Sequence, residues 1–292
     1  MANLTVIGGN ASQDLAKSLA RKLNAKYVKS ELRVFPDGES KITLSSNPKK
    51  GKIIVVQSTY PPVDTNLFQA FSLISKAKQY SANVITVIPY MGYARQDREF
   101  LPGEIVTMQV ITKLLKAAGT SKVIIVDIHS LIGLKLFKVP AKNISAVPEL
   151  VKYFKKLRLK DPLVVSPDLG GKERAKEFAR YFKTNFIALK KQRDRKTGKV
   201  KIVSSNLDDV AGRDLILVDD MISTGGSIIK STEFLKKQKC KRVYVACTHA
   251  LLIDNAEKKI KKAGVNQIIS TNTIPGKTAV VDVSNIIAQA IT

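Results

Sequence analysis

The chain has 292 residues, at the upper limit for one hydrophobic core (about 250–300 residues) and comfortable for two domains. Hydrophobic residues make up 44%, but no apolar run reaches the ~18 residues of a bilayer span, and MANLTVIGGN opens straight into a strand-like run without the basic and apolar regions of an export signal, which argues against membrane and exported proteins. Its formal charge of +25 attracts polyanions, either nucleic acid or a multiply phosphorylated small molecule; its two cysteines, Cys240 and Cys247, are too few for a disulfide framework and fit a reducing, cytoplasmic setting.

The run Leu4–Ile7 predicts a first strand, and Leu15, Leu19 and Leu23 predict the helix after it. Residues 27–44 read as a hairpin, with Pro36, Asp37 and Gly38 turning between apolar-alternating arms. Next come a strand at Ile53–Gln57, a helix through Leu67, Phe71 and Ile74, and a strand at Val84–Ile88. A helix through Ile105, Met108, Ile111 or Thr112 and Leu115 leads to a strand at Val123–Ile128. The stretch from Gly133 to Pro148 is irregular, after which strands recur at Leu163–Ser166, Phe186–Leu189, Leu215–Val218 and Val243–Thr248. A second hairpin is expected over 189–203, turning at Thr197 and Gly198. This alternation predicts an α/β protein with parallel sheets covered on both faces, in two domains, 1–142 and 143–292.

The stretch VDDMISTGGS (Val218–Ser227) joins two acids to a small-residue loop beyond a strand's carboxyl end. Backbone N–H groups freed by the glycines, two hydroxyls and the start of a helix near Ile228 form a cradle for phosphate. Asp219 and Asp220 would repel that phosphate unless they face another part of the same ligand, sugar hydroxyls or a magnesium ion; a sugar phosphate has both ends. The loop lacks the lysine of GxxxxGK[ST] and is no Walker A motif. Asp127 and His129 lie two apart at an expected strand end, so their side chains share a face able to hold a metal or its waters. Asp168 follows another strand and precedes Gly170 and Gly171, a second close backbone approach. Lys191 and Arg193 alternate on one hairpin arm and point the same way, suited to neutralising charge on a transferred group.

The loop VDDMISTGGS is similar to the phosphoribosyl diphosphate (PRPP) loop of type I phosphoribosyltransferases and of ribose-phosphate pyrophosphokinases, also called PRPP synthetases. RVFPDGES (Arg33–Ser40), PYMGYARQDRE (Pro89–Glu99), VDIHS (Val126–Ser130), SPDLGG (Ser166–Gly171) and KKQRDR (Lys190–Arg195) resemble pyrophosphokinase motifs, in that family's order, over roughly residues 1 to 285. The resemblance implies two phosphoribosyltransferase-like, Rossmann-type domains, with the last residues packing on the N-terminal one. It implies transfer of the β,γ-diphosphoryl group of ATP to the 1-hydroxyl of ribose 5-phosphate, giving PRPP and AMP.

By that resemblance Phe35, Asp37, Gly38 and Glu39 of the hairpin, with Arg95, Gln96 and Asp97, bind ATP, and the hairpin reaches a neighbouring subunit's site, so the enzyme is a homo-oligomer, at least a dimer. Asp219, Asp220, Ser223, Thr224, Gly225, Gly226 and Ser227 hold ribose 5-phosphate, and Asp168, Gly170 and Gly171 the pyrophosphate. Mg²⁺ falls to His129 and Asp168, with Asp127 beside them, and Lys191 and Arg193 are catalytic. Ser223 stands where many relatives carry a third aspartate, and QDREFLPGE after Arg95 is short and poor in basic residues, which disfavours control by ADP or phosphate. The alternatives are a phosphoribosyltransferase, which shares only the loop, and a non-catalytic regulatory relative, which His129, Asp168, Lys191 and Arg193 argue against. The scattered basic residues, with few aromatics among them, yield no groove-reading element, and neither nucleic acid nor membrane is an expected partner.

Overall fold

The computed structural model describes residues 4–193, 200–203 and 210–292. The chain forms two compact units. One holds the chain up to Ser145 with Asn272–Pro275 and Asp282–Thr292; the other holds Ala146–Thr271 and Gly276–Val281. No described helix is long and apolar enough to cross a membrane, and both cysteines are buried.

The first unit runs β1 (Leu4–Gly8), α1 (Gln13–Lys22), β2 (Lys26–Val34), β3 (Ser40–Leu44), β4 (Lys52–Val56), α2 (Val63–Lys78), β5 (Val84–Ile88), α3 (Thr107–Ala118), β6 (Lys122–Val126), α4 (Leu131–Leu134) and β7 (Ala141–Ile144). Its sheet has the order β3-β2-β1-β4-β5-β6-β7, and every pair except β2–β3 is parallel. The central strands are buried on both faces, so KIIVV and VITVI read as unbroken β-branched runs. Ile53 and Val55 pack with Leu67 and Ile74 of α2 and Met108 and Leu115 of α3.

The second unit runs α5 (Val147–Phe154), β8 (Leu163–Ser166), α6 (Lys172–Phe182), β9 (Phe186–Ala188), β10 (Lys190–Arg193), β11 (Val200–Val203), β12 (Asp214–Ile222), α7 (Gly226–Lys237), β13 (Arg242–Ala250), α8 (Ala256–Lys262), β14 (Val265–Thr271) and β15 (Ala279–Val281); α9 (Ser284–Ile291) returns to the first unit. Its sheet, β15-β14-β13-β12-β8-β9, is parallel throughout, and β10–β11 is a separate antiparallel hairpin. The period of two divides β12 between cores: Ile216 and Val218 pack with Phe154 of α5 and Phe178 of α6, and Leu215 and Leu217 with Leu235 of α7 and Ile260 of α8. At the opposite end of β12 from the phosphate-type loop, wholly buried Asp214 accepts from Arg242 Nε at 2.9 Å and Nη2 at 2.5 Å.

Four expectations are corrected. β6 stops at Val126, short of Ile128, because Asp127 takes a left-handed φ of +40°. α3 begins at Thr107, leaving Ile105 outside it and 73% exposed. β12 extends through Asp219 and Asp220 to Ile222, because β13 continues to pair with it beyond the acids. The stretch from Gly133 to Pro148 is structured, holding the end of α4, the edge strand β7 and the start of α5.

Strand order reverses between β1 and β4 in the first unit and between β8 and β12 in the second, and ligands of open α/β sheets bind beyond the strand ends at such points. In the first unit this crevice is filled. The Gln57 side chain accepts from the Ala11 N–H (3.2 Å) and donates to Asn66 Oδ1 (3.2 Å), and Ser58 Oγ donates to the Thr273 carbonyl (2.7 Å). In the second unit the crevice carries both SPDLGG and VDDMISTGGS, with Gly170, Thr224 and Gly226 exposed.

Candidate active site

In the second unit Asp168 follows β8 directly. Ser166 Oγ donates to the Asp168 carbonyl (2.6 Å), and the Asp168 carboxylate accepts the Gly171 N–H (3.2 Å), folding 166–171 into a tight turn before α6. A β-carbon on Gly171 would stand 2.7 Å from Ser166 Oγ, so the turn needs glycine. One strand over, Gly225 lies between β12 and α7 at φ +78° against α8, where a β-carbon would meet Ile260 Cδ1 at 2.7 Å. Ser223 and Ser227 are half-buried and Thr224 and Gly226 exposed, so hydroxyls and the amino end of α7 are presented together.

Asp219, half-buried, and Asp220, 7% exposed, are consecutive on β12, but the Asp219 carboxylate turns back to accept the Asp220 N–H at 2.9 Å. Burial, and then the neighbouring Asp220 and Asp168 carboxylates, push the Asp219 pKa well above the ordinary range. Arg174, in the first turn of α6, stands 3.7 Å from Asp220 and offsets part of this charge. Cys247 is the register partner of Asp219 on β13; burial and the two aspartates push its thiol well up, so it stays a neutral core group. His249, opposite Met221, is 3% exposed and buried behind the acids. The carboxylates fit a hard divalent cation, which would relieve their repulsion. Among the described residues no three His, Cys, Asp or Glu side chains form a ready metal cage, and Mg²⁺ usually completes its shell with waters and substrate phosphates.

In the first unit the loops after β5 and β6 enclose a cavity of about 410 Å³ lined by Ala94, Arg95, Asp97, Arg98, Phe100, His129 and Ser130. Arg95 and His129 are exposed. Asp97 is 4% exposed; both its oxygens accept from Arg98 (Nε 3.1 Å, Nη2 3.1 Å), and Oδ2 also accepts from Ser130 Oγ. The Arg98 and Ser130 hydrogen bonds lower its pKa against the opposing effect of burial. Asp97 is thus a buried brace between the Arg95 and His129 loops as well as part of the cavity wall.

Other expected site residues are not among those lining the cavity. Asp127 is 5% exposed, its N–H held by the Ile144 carbonyl at 2.9 Å, and its left-handed backbone breaks the alternation that was to align it with His129. It does not line the cavity, and neither does Gln96 or the tip of the β2–β3 hairpin. That tip, with Asp37, Gly38 and Glu39 exposed, is closed by Phe35 N–H to the Glu39 carbonyl (2.8 Å) and Gly38 N–H to the Phe35 carbonyl (2.9 Å). The Arg33 guanidinium lies 5.1 Å from the Phe35 ring centroid. β1 and β4 separate β2 from β5, about 14 Å at the usual strand spacing. The backbones of Lys191 and Arg193 lie on β10, and the expected turn at Thr197 and Gly198 falls outside the described residues. Sequence reasoning missed Arg98, Phe100, Ser130 and Arg174. The Asp97-Arg98 dipeptide and the arginine one turn past Gly170-Gly171 were the available signals.

Comparison with known proteins agrees with this fold of two α/β units. Residues 4–119 match the N-terminal domain of ribose phosphate pyrophosphokinase, and residues 146–283 match the phosphoribosyl transferase domain. A ribose-phosphate pyrophosphokinase of Sulfurisphaera tokodaii is 36% identical over 292 residues, covering 99% of this chain and all of that protein. One from Vibrio cholerae is 36% identical over 301 residues, covering 100% and 96%. The crystal structure of phosphoribosylpyrophosphate synthetase from Mycobacterium smegmatis superposes with a TM-score of 0.85 at 28% identity, covering 99% of this chain and 97% of that one. A parallel-sheet unit with an acid-and-glycine crevice, a second unit with a basic cavity, and relatives matched from end to end place this chain in the ribose-phosphate pyrophosphokinase family.

Proposed function

We propose that this chain transfers the β,γ-diphosphoryl group of ATP to the 1-hydroxyl of ribose 5-phosphate, releasing PRPP and AMP. The observation that carries the reading is the pair of sites: a sugar-phosphate crevice of phosphoribosyltransferase type, and a basic cavity in a second unit that a phosphoribosyltransferase would not need. Ser223, Thr224, Gly225, Gly226 and Ser227 hold the 5-phosphate, and Asp219 and Asp220 accept hydrogen bonds from the ribose hydroxyls. Asp168, Gly170 and Gly171 receive the diphosphoryl group. Arg95 binds the triphosphate, for which its planar, two-pronged guanidinium is suited.

The 1-hydroxyl oxygen attacks the β-phosphorus as the bond to the α-phosphate oxygen breaks, and AMP leaves. Lys191 and Arg193 neutralise charge that develops on the transferred group. Positioning and charge neutralisation carry the step without a strong general base, as is usual in phosphoryl-type transfer. Magnesium, held by one or two of Asp168, Asp219 and Asp220 together with substrate oxygens, and on the nucleotide side by His129, supplies neutralisation of phosphate charge when bound.

The hairpin tip does not line the cavity of its own unit, which supports its service to a second copy of the chain and an oligomer of at least two. Phe35, Asp37 and Glu39 then reach the partner's nucleotide. The test is incubation of the pure protein with ATP, Mg²⁺ and ribose 5-phosphate. AMP release that requires the sugar phosphate supports the reading; ADP release, or AMP release indifferent to the sugar, rejects it.

A further inference from the structure

We infer that Phe100 is a stacking surface for the base of ATP, a specificity-determining residue on the loop between β5 and α3; this rests on the cavity beside Arg95 and His129 being the nucleotide site. Phe100 lines that cavity yet is 59% exposed. A ring that faces a polar cavity without core partners has a face free for a flat ligand.

The ring is held in place. Arg98 lies over it, 5.5 Å from its centroid, and Arg98 is locked to buried Asp97, which Ser130 secures from the other side. The backbone is fixed as well: the Phe100 N–H donates to Glu104 Oε2 at 2.9 Å and the Gly103 N–H to Glu99 Oε1 at 2.6 Å. Such a platform loses little freedom when it binds. Around it, Arg95 and Arg98 offer cationic donors and His129 an imidazole, and Phe100 and Ala94 are the apolar lining. A ligand that uses both kinds of wall is an aromatic base joined to a polyphosphate. Leu101 and Ile105 of the same loop are also exposed but do not line the cavity, so the site is specific to the ring. The other face of the purine is left for Phe35 of a second copy.

The chain contains no tryptophan, so Phe100→Trp creates a single fluorescent reporter at the platform. ATP is expected to quench it and inorganic tripolyphosphate to leave it unchanged. Phe100→Ala should raise the KM for ATP about five- to a hundredfold, the range for losing one base–aromatic stack. The KM for ribose 5-phosphate and the melting temperature should hold, and Phe100→Trp should restore the KM for ATP. An unchanged KM for ATP in Phe100→Ala overturns the inference, as does equal quenching by ATP and tripolyphosphate, or a rise in both KM values with a fall in melting temperature. A wild-type protein without sugar-dependent AMP release would remove the proposed function itself; an active wild type with an indifferent Phe100→Ala removes only the platform.

Discussion

Gly225→Ala should disable ribose 5-phosphate binding through the backbone alone. At φ +78° a β-carbon costs about 1–2 kcal/mol. It would also stand 2.7 Å from Ile260 Cδ1 and 2.9 Å from Ile260 Cγ1. Ile260 is fully buried, so the contact cannot be relieved by swinging into solvent, and overpacking of this kind costs about 1–3 kcal/mol. Together the loop must give up about 2–5 kcal/mol or move. At tenfold per 1.4 kcal/mol, even the lower figure raises the KM for ribose 5-phosphate about thirtyfold. Gly226 is the contrast: nothing lies within 4 Å of its missing β-carbon, so Gly226→Ala should melt like the wild type. Adding Ile260→Val removes Cδ1, the nearer clash, and should recover part of the Gly225→Ala defect while leaving the backbone term. The assay is initial-rate AMP release with each substrate varied in turn, beside thermal melts. A Gly225→Ala protein with a normal KM for ribose 5-phosphate would refute the reasoning, and so would a double variant no better than the single one.

Lys191→Ala should retain the fold and ribose 5-phosphate binding while kcat falls by orders of magnitude; near-normal turnover would end its assignment. Asp219→Asn should raise the melting temperature at neutral pH while weakening ribose 5-phosphate binding. The raised pKa of Asp219 means that its favourable contribution is present below the ordinary aspartate value and lost as pH rises through the raised one, so melts of variant and wild type should converge in acid. Arg242→Met should cost about 3 kcal/mol, the low end for breaking a buried pair because the arginine side chain is 34% exposed, with both KM values unchanged. Burial works against ionisation of Asp214, but its bonds from Arg242 and the Lys160 N–H lower its pKa; the pair's contribution is therefore present above the ordinary aspartate range and lost as pH falls through the lowered value. Urea melts across acid pH would show the deficit closing, and a constant deficit would contradict this.

The parallel strands were legible where burial on both faces demands continuous β-branched residues: β5 and β8 lie where their runs place them. β7 escaped notice because AKNI is a half-exposed edge strand without such a run. In β12 the two carboxylates looked like the start of a turn, yet pairing with β13 carries the strand past them. Periodicity could align Asp127 with His129 only if the strand continued, and nothing in the residue type announces a left-handed aspartate. The glycine-rich loops were plain because close approach and positive φ leave few choices of residue. The brace from Asp97 to Arg98 and Ser130 was not, since it depends on two loops 33 positions apart in the chain meeting at one carboxylate.

The first unit is the first to be begun and the last to be finished. Asn272–Pro275 and Asp282–Thr292 belong to it: α9 packs on α1, Thr273 takes the hydrogen bond from Ser58, and Lys122 Nζ donates to the Ala290 carbonyl at 3.2 Å. During translation the α1 face that awaits α9 therefore stays uncovered while the whole second unit is made, roughly seven to thirty seconds at about 5–20 residues per second. The nascent chain must pass that interval with apolar surface open to chaperones, proteases and other ribosomes' products, whereas the second unit lacks only the short edge strand β15 until close to the end.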